Sequence, residues 1–570
     1  MSITNNFVRG GQLSLHKYQM IKQVSTVTIL LCLLVGVFAT AVLFLEKTTP
    51  YERYLYKEHM HAEFNINFHF SDESQATQEF EYQNGMKRDV RSVDILKNPS
   101  IQNVVHVLDH QLVQCAYDAL YYALAALIIL MGFFGYRGYK KNQKSLERGN
   151  RLIDIKKFIK LIYKRKEASD LLIHKLPLVK DSETTHLLVT GTTGAGKTNL
   201  INGLLPQIAE RGNRAFIIDT TGDMVSKYYN PERGDVIINP FDARSHDWDI
   251  VHECDHEFQY DNMSKAVVPQ NNSQAEPMWR DASALTFSAA LQKARRERIS
   301  PKDLHTLLFH STLKEYGEFF KGTDAFIYAD PAGEKTTMSF RATLTTNVQF
   351  LKHLGKNRPK FKISDWMKDY TAESWVFVTA NEDMIGTLNS LIAAMFSSAT
   401  TMLMTKEESF DRRVWFVMDE IPAVQKLRAL EPILSKGRKY GACVLAGLQG
   451  MSQFTDIYGH NGSKTILNLF NTKFFFRFNE TEASEYLSRW LGEEEVEEFK
   501  ENLSYGANTI RDGVSLNEHK SIKKLVLPTE ILRLPNMQCY VMYPGDYPIT
   551  KLTTTINKVQ TQHKPFEIKI

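Results

Sequence analysis

Apolar and polar positions divide the chain of 570 residues into two regimes. No charged residue occurs over residues 24–45, and at ~1.5 Å rise per helical residue such a run can cross a hydrocarbon layer of ~30 Å. A second apolar run ends at Tyr136, with Tyr117, Tyr121 and Tyr122 at one end and Arg137, Lys140, Lys141 and Lys144 at the other. Interfacial tyrosines and a basic flank predict a second spanning helix at residues 117–136. A cleaved signal peptide does not fit the first run, because Phe44-Leu45-Glu46 offers no small-residue cleavage site.

Beyond residue 150 the pattern changes to short apolar runs bounded by turn residues. Those at 185–190, 215–218, 236–238, 375–378, 413–418, 443–448, 473–478 and 539–543 predict strands. Helical periodicities between several of them predict an open, mostly parallel sheet covered on both faces, an α/β fold. From residue 249 to 356 strand signals fade and helical patterns take over, at 282–298, 301–308 and 335–351, which predicts an all-α insertion. The expected domains are a membrane anchor over 1–150, a sheet domain in two parts, 151–248 and 357–570, and the insertion between them.

Charge gives the two spans an orientation. Before the first span stand Arg9, Lys17 and Lys22 and no acid, and after the second comes the basic cluster just named, so the positive-inside bias puts both termini in the cytoplasm. The connecting segment 46–111 has eleven acidic and seven basic residues, a net of −4, and is expected outside, in the periplasm of a Gram-negative cell. The remainder has 62 basic against 54 acidic residues, a basic excess that suits nucleic acid or anionic lipid. A composition of 43% hydrophobic and 24% charged residues excludes both a disordered chain and a polytopic transporter. Five cysteines without a C-x-x-C pair point away from a disulfide framework and to a reducing compartment.

The chemistry begins at the first of these strands. It runs into Gly191-Thr192-Thr193-Gly194-Ala195-Gly196-Lys197-Thr198 and then into a helical pattern over 199–209, the order strand, G-x-x-x-x-G-K-T, helix. Backbone N–H groups of such a loop curl around phosphate oxygens, Lys197 reaches the β and γ phosphates, and Thr198 ligates magnesium, so ATP and Mg2+ are the expected cofactors. The strand Arg413-Val414-Trp415-Phe416-Val417-Met418 ends in Asp419-Glu420, which supplies a carboxylate for the magnesium at Asp419 and one for the attacking water at Glu420. Asp219, at the end of another strand, reads either as a further acid at the pocket's edge or as a turn residue.

Two other features carry less. His252, Cys254 and His256 alternate with acids, but no fourth ligand is near, which speaks against a zinc site. The run Phe474-Phe475-Phe476-Arg477-Phe478 is better explained by a buried strand than by base stacking.

The whole pattern resembles the TraD-type coupling proteins of conjugative type IV secretion. The resemblance rests on the two spans, the glycine loop, Lys227-Tyr228-Tyr229-Asn230-Pro231, Asn239-Pro240-Phe241-Asp242-Ala243-Arg244 with Trp248, Asp419-Glu420, Lys436-Gly437-Arg438-Lys439, Gly447-Leu448-Gln449, and Ser452-Gln453 with Ile457-Tyr458-Gly459. It implies a RecA-like P-loop NTPase with an inserted all-α domain, assembled as a homo-hexamer at the bacterial inner membrane. It also implies single-stranded DNA, the relaxosome with its relaxase, and type IV secretion channel components as partners. Carried over by position, Arg438 is a finger reaching the neighbouring subunit's nucleotide and Gln449 a polar sensor, so the expected catalytic set is Lys197, Glu420, Arg438 and Gln449. F-type members often carry a long hydrophilic C-terminal tail, whereas this sequence stops at Ile570, so cargo recognition is expected to use another surface or another protein.

Two alternatives share these residues: a coupling ATPase that exports effector proteins only, and a membrane scaffold switched by nucleotide. Membrane-bound AAA proteases are set aside on the expectation that no zinc motif of the H-E-x-x-H type is present.

Overall fold

A computed structural model describes residues 3–68, 76–142, 146–268, 277–355, 358–369, 371–504 and 513–568. It divides into two compact units, Met1–Ser145 and Leu146–Ile570.

The first unit is built on two long helices, α1 (Ile3–Lys47) and α4 (Pro99–Asn142), which pack along each other. At one contact between them the residues are small, and a Cβ on Gly36 would lie 3.7 Å from that of Ala123. Between them come α2 (Pro50–Phe68), a hairpin of β1 (Thr77–Glu81) and β2 (Lys87–Arg91), and the short α3 (Ser92–Lys97). These close on a small core of Leu55, Ala62, Phe80, Ile95 and Ile101. The stretches long and apolar enough to cross a membrane are Ile21–Lys47 and Pro99–Arg137, each wider than the runs predicted at 24–45 and 117–136. The difference is one of helix ends: uncharged runs mark apolar cores, whereas the hydrogen-bonded helices continue into polar sequence on both sides.

The second unit is organised by a ten-stranded sheet. In chain order its strands are β3 (Leu152–Ile153), β4 (Leu187–Thr190), β5 (Arg214–Asp219), β6 (Val236–Ile238), β9 (Trp375–Thr379), β10 (Val414–Met418), β11 (Ala442–Leu448), β12 (Thr472–Phe475), β13 (Gln538–Met542) and β14 (Ile549–Thr553). Their order in space is β3-β14-β13-β12-β4-β11-β10-β5-β9-β6, and only β13 runs antiparallel to its neighbours. Alternate side chains enter different cores, as strand geometry requires: Ala215, Ile217, Trp415 and Val417 face one layer, while Phe216, Ile218, Phe416 and Met418 face the other. The first layer is covered by α6 (Lys197–Glu210) and the amphipathic α5 (Ile155–Arg165). The second is covered by α12 (Glu382–Met404), whose most apolar stretch is 78% buried although its composition alone would let it cross a membrane.

Two predicted strands are shorter than expected by two residues. The one at 185–190 starts at Leu187 because residues Ser182–Thr185 form a 3-10 turn closed by the Thr184 and Thr185 hydroxyls. The one at 473–478 stops at Phe475, beyond which the backbone turns to receive the glycine loop.

The insertion leaves the sheet after β7 (Asp247–Trp248) and returns at β8 (Lys360–Phe361), and these two short strands pair in parallel. Between them lie α7 (Glu257–Val267), α8 (Pro277–Glu297), α9 (Pro301–His310), α10 (Leu313–Phe320) and α11 (Glu334–Asn347). Buried Glu253 fastens this junction by accepting hydrogen bonds from Trp248 Nε1 at 2.7 Å and from the N–H groups of Ile363 and Ser364 at 3.0 and 2.8 Å.

Candidate nucleotide site

The glycine loop has its shape imposed by neighbours far away in sequence. Gly191 and Gly196 have φ of +150° and +121°, where side chains are strained, and a Cβ on either would come within 2.6 and 2.9 Å of Phe476. The loop is pinned from two sides: Thr192 N–H donates to Arg477 O at 2.8 Å, and Met537 N–H donates to Ala195 O at 2.8 Å. Phe476 and Met537 are the residues that sequence reasoning missed, since nothing in their local pattern announces a contact with residues 191–196.

Lys197 opens α6 and bends back over the loop, its Nζ donating to Thr192 O at 3.0 Å. The next residue, Thr198, places Oγ1 at 3.3 and 3.4 Å from the two oxygens of Asp419, across the gap between α6 and the end of β10. Glu420 follows and is gripped by Gln449 at the end of β11, whose Nε2 donates to Glu420 Oε2 at 2.7 Å. The Gln449 Oε1 in turn accepts from Thr193 Oγ1 at 2.6 Å. One polar chain therefore links the phosphate loop to the water-positioning candidate through a residue on the strand between them.

That closeness requires a glycine two residues before Gln449. A Cβ on Gly447 would lie 1.7 Å from the carbonyl oxygen of Asp419, so any side chain there would push the two strand ends apart.

The electrostatics suit a bound cation. Burial raises the Asp419 carboxyl above the usual carboxylate range, opposed by Lys197 and by the Thr198 hydrogen bond. Burial also raises Glu420, with Lys197 opposing and Asp419 and Glu382 adding to the shift. Burial lowers Lys197, against the pull of both carboxylates. Two carboxylates facing one ammonium leave an excess of negative charge, and the donors nearest the gap, a hydroxyl and a carboxylate, are the hard oxygen ligands magnesium takes.

Arg438 is not brought into this cluster. It lies exposed in the 3-10 turn Gly437–Tyr440 that precedes β11, whereas Gln449 follows the strand's other end. Seven strand residues at ~3.3 Å each separate them by ~20 Å, beyond the reach of an arginine side chain.

Asp219 anchors a turn, its carboxylate accepting from the N–H groups of Thr221, Gly222 and Val225 at 3.2, 2.7 and 2.9 Å, and its charge also helps to raise Asp419. The segment Asn239-Pro240-Phe241-Asp242-Ala243-Arg244 also has a structural task. Arg244 donates to the carbonyls of Lys564 and Pro565, and Asp242 accepts from Glu567 N–H, so the segment holds down the last described stretch of the chain. The same stretch touches α6 where Asn199 donates to Thr555 O at 2.8 Å.

One expectation needs correcting. In letters, His252-Glu253-Cys254-Asp255-His256 does match H-E-x-x-H. What excludes a zinc helix is geometry: α7 begins only at Glu257, the Glu253 carboxylate is consumed at the insertion's junction, and His252 Nδ1 bonds to Asp249. Among the described residues no group of three or more His, Cys, Asp or Glu could hold a metal.

A glycine loop between a parallel strand and a helix, faced by carboxylates from a second parallel strand, defines a RecA-like P-loop NTPase. Residues 170–555 match the family described as the type IV secretion-system coupling protein DNA-binding domain, and the chain belongs to the type IV secretion coupling proteins. It is 32% identical over 461 residues to the coupling protein TraD of Escherichia coli K12, covering 79% of this chain and 64% of TraD. This chain thus spans less than two thirds of that relative's length. The conjugative coupling protein TrwBdeltaN70 in its unbound monoclinic form has a similar structure, with a TM-score of 0.67 at 28% identity over 75% of this chain and 96% of that one. The plasmid coupling protein TrwB in complex with ADP and Mg2+ aligns with a TM-score of 0.66 at 28% identity, over 75% of this chain and 98% of that one.

Proposed function

We propose that the chain is an inner-membrane ATPase that, as a homo-hexamer, uses ATP hydrolysis to move single-stranded DNA with attached relaxase into a type IV secretion channel. The observation that carries this reading is Glu420 held in place by Gln449 beside the facing pair of Thr198 and Asp419, since a site that only binds nucleotide can dispense with an oriented carboxylate. The loop of residues 191–198 binds the phosphates, and Lys197 reaches from its retracted position to the terminal ones. Thr198 and Asp419 would hold magnesium, which would supply positive charge to offset that of the phosphates. Glu420 polarises the attacking water, and Gln449 orients Glu420.

Arg438 cannot serve its own subunit's nucleotide across ~20 Å of strand, which supports a role at the neighbour's site in a ring. The basic flanks of the two spans support a topology with both termini in the cytoplasm and 46–111 in the periplasm. Alkaline phosphatase fused after Gly85 is therefore active, and fused after Arg165 inactive; the reverse pattern overturns the orientation.

The test of function is magnesium-dependent ATP hydrolysis by the purified chain, its stimulation by single-stranded DNA, and DNA transfer from a host lacking the protein. Hydrolysis with DNA transfer intact in that host would leave the ATPase standing and remove DNA as its cargo. Absence of magnesium-dependent hydrolysis would remove the motor.

A further inference from the structure

The lysines of α5 form a charged face that the nucleotide site does not use. In the sequence Ile155-Lys156-Lys157-Phe158-Ile159-Lys160-Leu161-Ile162-Tyr163-Lys164-Arg165 the apolar positions fall on one side, where Phe158 and Ile162 are buried. The Phe158 ring lies 5.4 Å from that of Tyr543 and 5.9 Å from that of Tyr547. Arg165 is occupied with Asp546 at 2.6 Å. This leaves Lys156, Lys157, Lys160, Tyr163 and Lys164 exposed along the other side.

Three features set this face apart from an ordinary solvated one. The helix contains no acidic residue, Asp154 is taken up as its N-cap, and among the described residues none of the four lysines makes an ion pair or side-chain hydrogen bond. Solvent-exposed helices gain support from carboxylates spaced i,i+4 to their lysines, and here none is supplied. The helix also lies at the sheet edge remote from the glycine loop, since Tyr543 follows the end of antiparallel β13 and Tyr547 precedes the start of β14. Finally, only residues 143–154 separate Ile155 from the end of α4, and that α4 end carries Arg137, Lys140 and Lys141.

We propose that the lysine face of α5 binds the anionic phospholipid surface of the membrane that α1 and α4 enter. The apolar side of α5 is already buried in the protein, so attachment is by charge rather than by insertion and weakens with salt. Tyr163, with a ring that suits the headgroup layer, sits among the lysines. The proposal rests on the reading of α1 and α4 as membrane spans.

The full chain is reconstituted into vesicles of phosphatidylcholine alone or with added phosphatidylglycerol, and flotation is checked first. Lysine acetylation is then followed by mass spectrometry, with exposed Lys314 of the insertion as the internal reference. Lys156, Lys157, Lys160 and Lys164 are expected to react about fivefold more slowly with phosphatidylglycerol present, the difference vanishing at high salt and Lys314 unchanged. Equal rates in the two vesicles overturn the proposal. Slowing by added single-stranded DNA in neutral vesicles, without slowing by phosphatidylglycerol, also overturns it and assigns the face to nucleic acid. A chain that floats with neither vesicle overturns the anchor reading itself, and the lipid face falls with it.

Discussion

The two edges of the central sheet treat charge in opposite ways. At the edge where β4, β10 and β11 end, Lys197, Asp419 and Glu420 are drawn together with more negative than positive charge, and each is shifted from its usual ionisation by burial. At the edge where the same strands begin, buried Glu183 meets Arg413 at 3.2 Å and Arg211 at 3.4 Å, and Arg413 also pairs with Asp181 at 2.7 Å. At the first edge the acids outnumber the bases that face them; at the second the buried carboxylate is paired with two arginines. Buried charge alone therefore does not mark function here, and what distinguishes the edges is whether partners inside the protein balance it.

Arg438 breaks the simple form of this contrast, because it stands at the balanced edge yet has no ion pair or side-chain hydrogen bond among the described residues. If it completes a neighbour's site, Arg438→Ala should lower hydrolysis by about 10³-fold with nucleotide binding kept, the scale of a missing arginine finger. Mixing inactive Arg438→Ala subunits with inactive Lys197→Ala subunits should restore part of the activity, since some interfaces then join an intact loop to an intact arginine. No recovery in verified mixed oligomers would return Arg438 to a role within its own subunit.

Within the unbalanced edge, Glu420→Gln should keep ATP binding and cut turnover by about 100-fold, because an amide cannot take the proton from water as a carboxylate does. Turnover at the parent rate would mean that another group positions the water. Gln449→Ala should cost less, about tenfold in kcat with KM little changed, as Glu420 survives but loses its orientation. A rise in KM alone would instead make Gln449 a nucleotide contact.

Much of the unbalanced edge was legible in the sequence for a physical reason. A glycine loop between strand and helix, and two acids closing an apolar strand, are local patterns whose geometry follows from backbone direction. The strand-end position of Asp419 followed from the same logic and that of Gln449 from the family resemblance, whereas the hydrogen-bonded chain from Thr193 through Gln449 to Glu420 needed three strands in register. Phe476 and Met537 were invisible because they flank β12 and β13, which reach the loop only through the pairing of the sheet. The hydrophobic run at 382–404 shows the reverse limit. By composition α12 resembles α1, but it carries Asn381 as N-cap and Glu382 and Asp383 in its first turn, and its Ser, Thr and Ala positions let it press closely on the sheet. Hydropathy measures how apolar a helix is, not what surrounds it.

The balanced edge offers the smallest functional effect and the sharpest control. Glu183 is 3% exposed, and its charge is shared by two guanidinium groups that enter from the residues before β5 and β10. Glu183→Gln preserves the side chain's volume but leaves both arginines facing a neutral amide. Breaking a buried pair typically costs ~3–5 kcal/mol. Arg211 keeps Asp170 and Arg413 keeps Asp181, both at the surface, so the loss should be nearer ~2 kcal/mol. Denaturant unfolding of the variant should therefore show a lower midpoint with an unchanged slope, while kcat and nucleotide affinity measured well below the transition stay within about twofold of the parent. A large fall in kcat without a fall in stability would mean that the network transmits to the nucleotide edge through the strands between them, and the division of the sheet into one edge for chemistry and one for cohesion would fail.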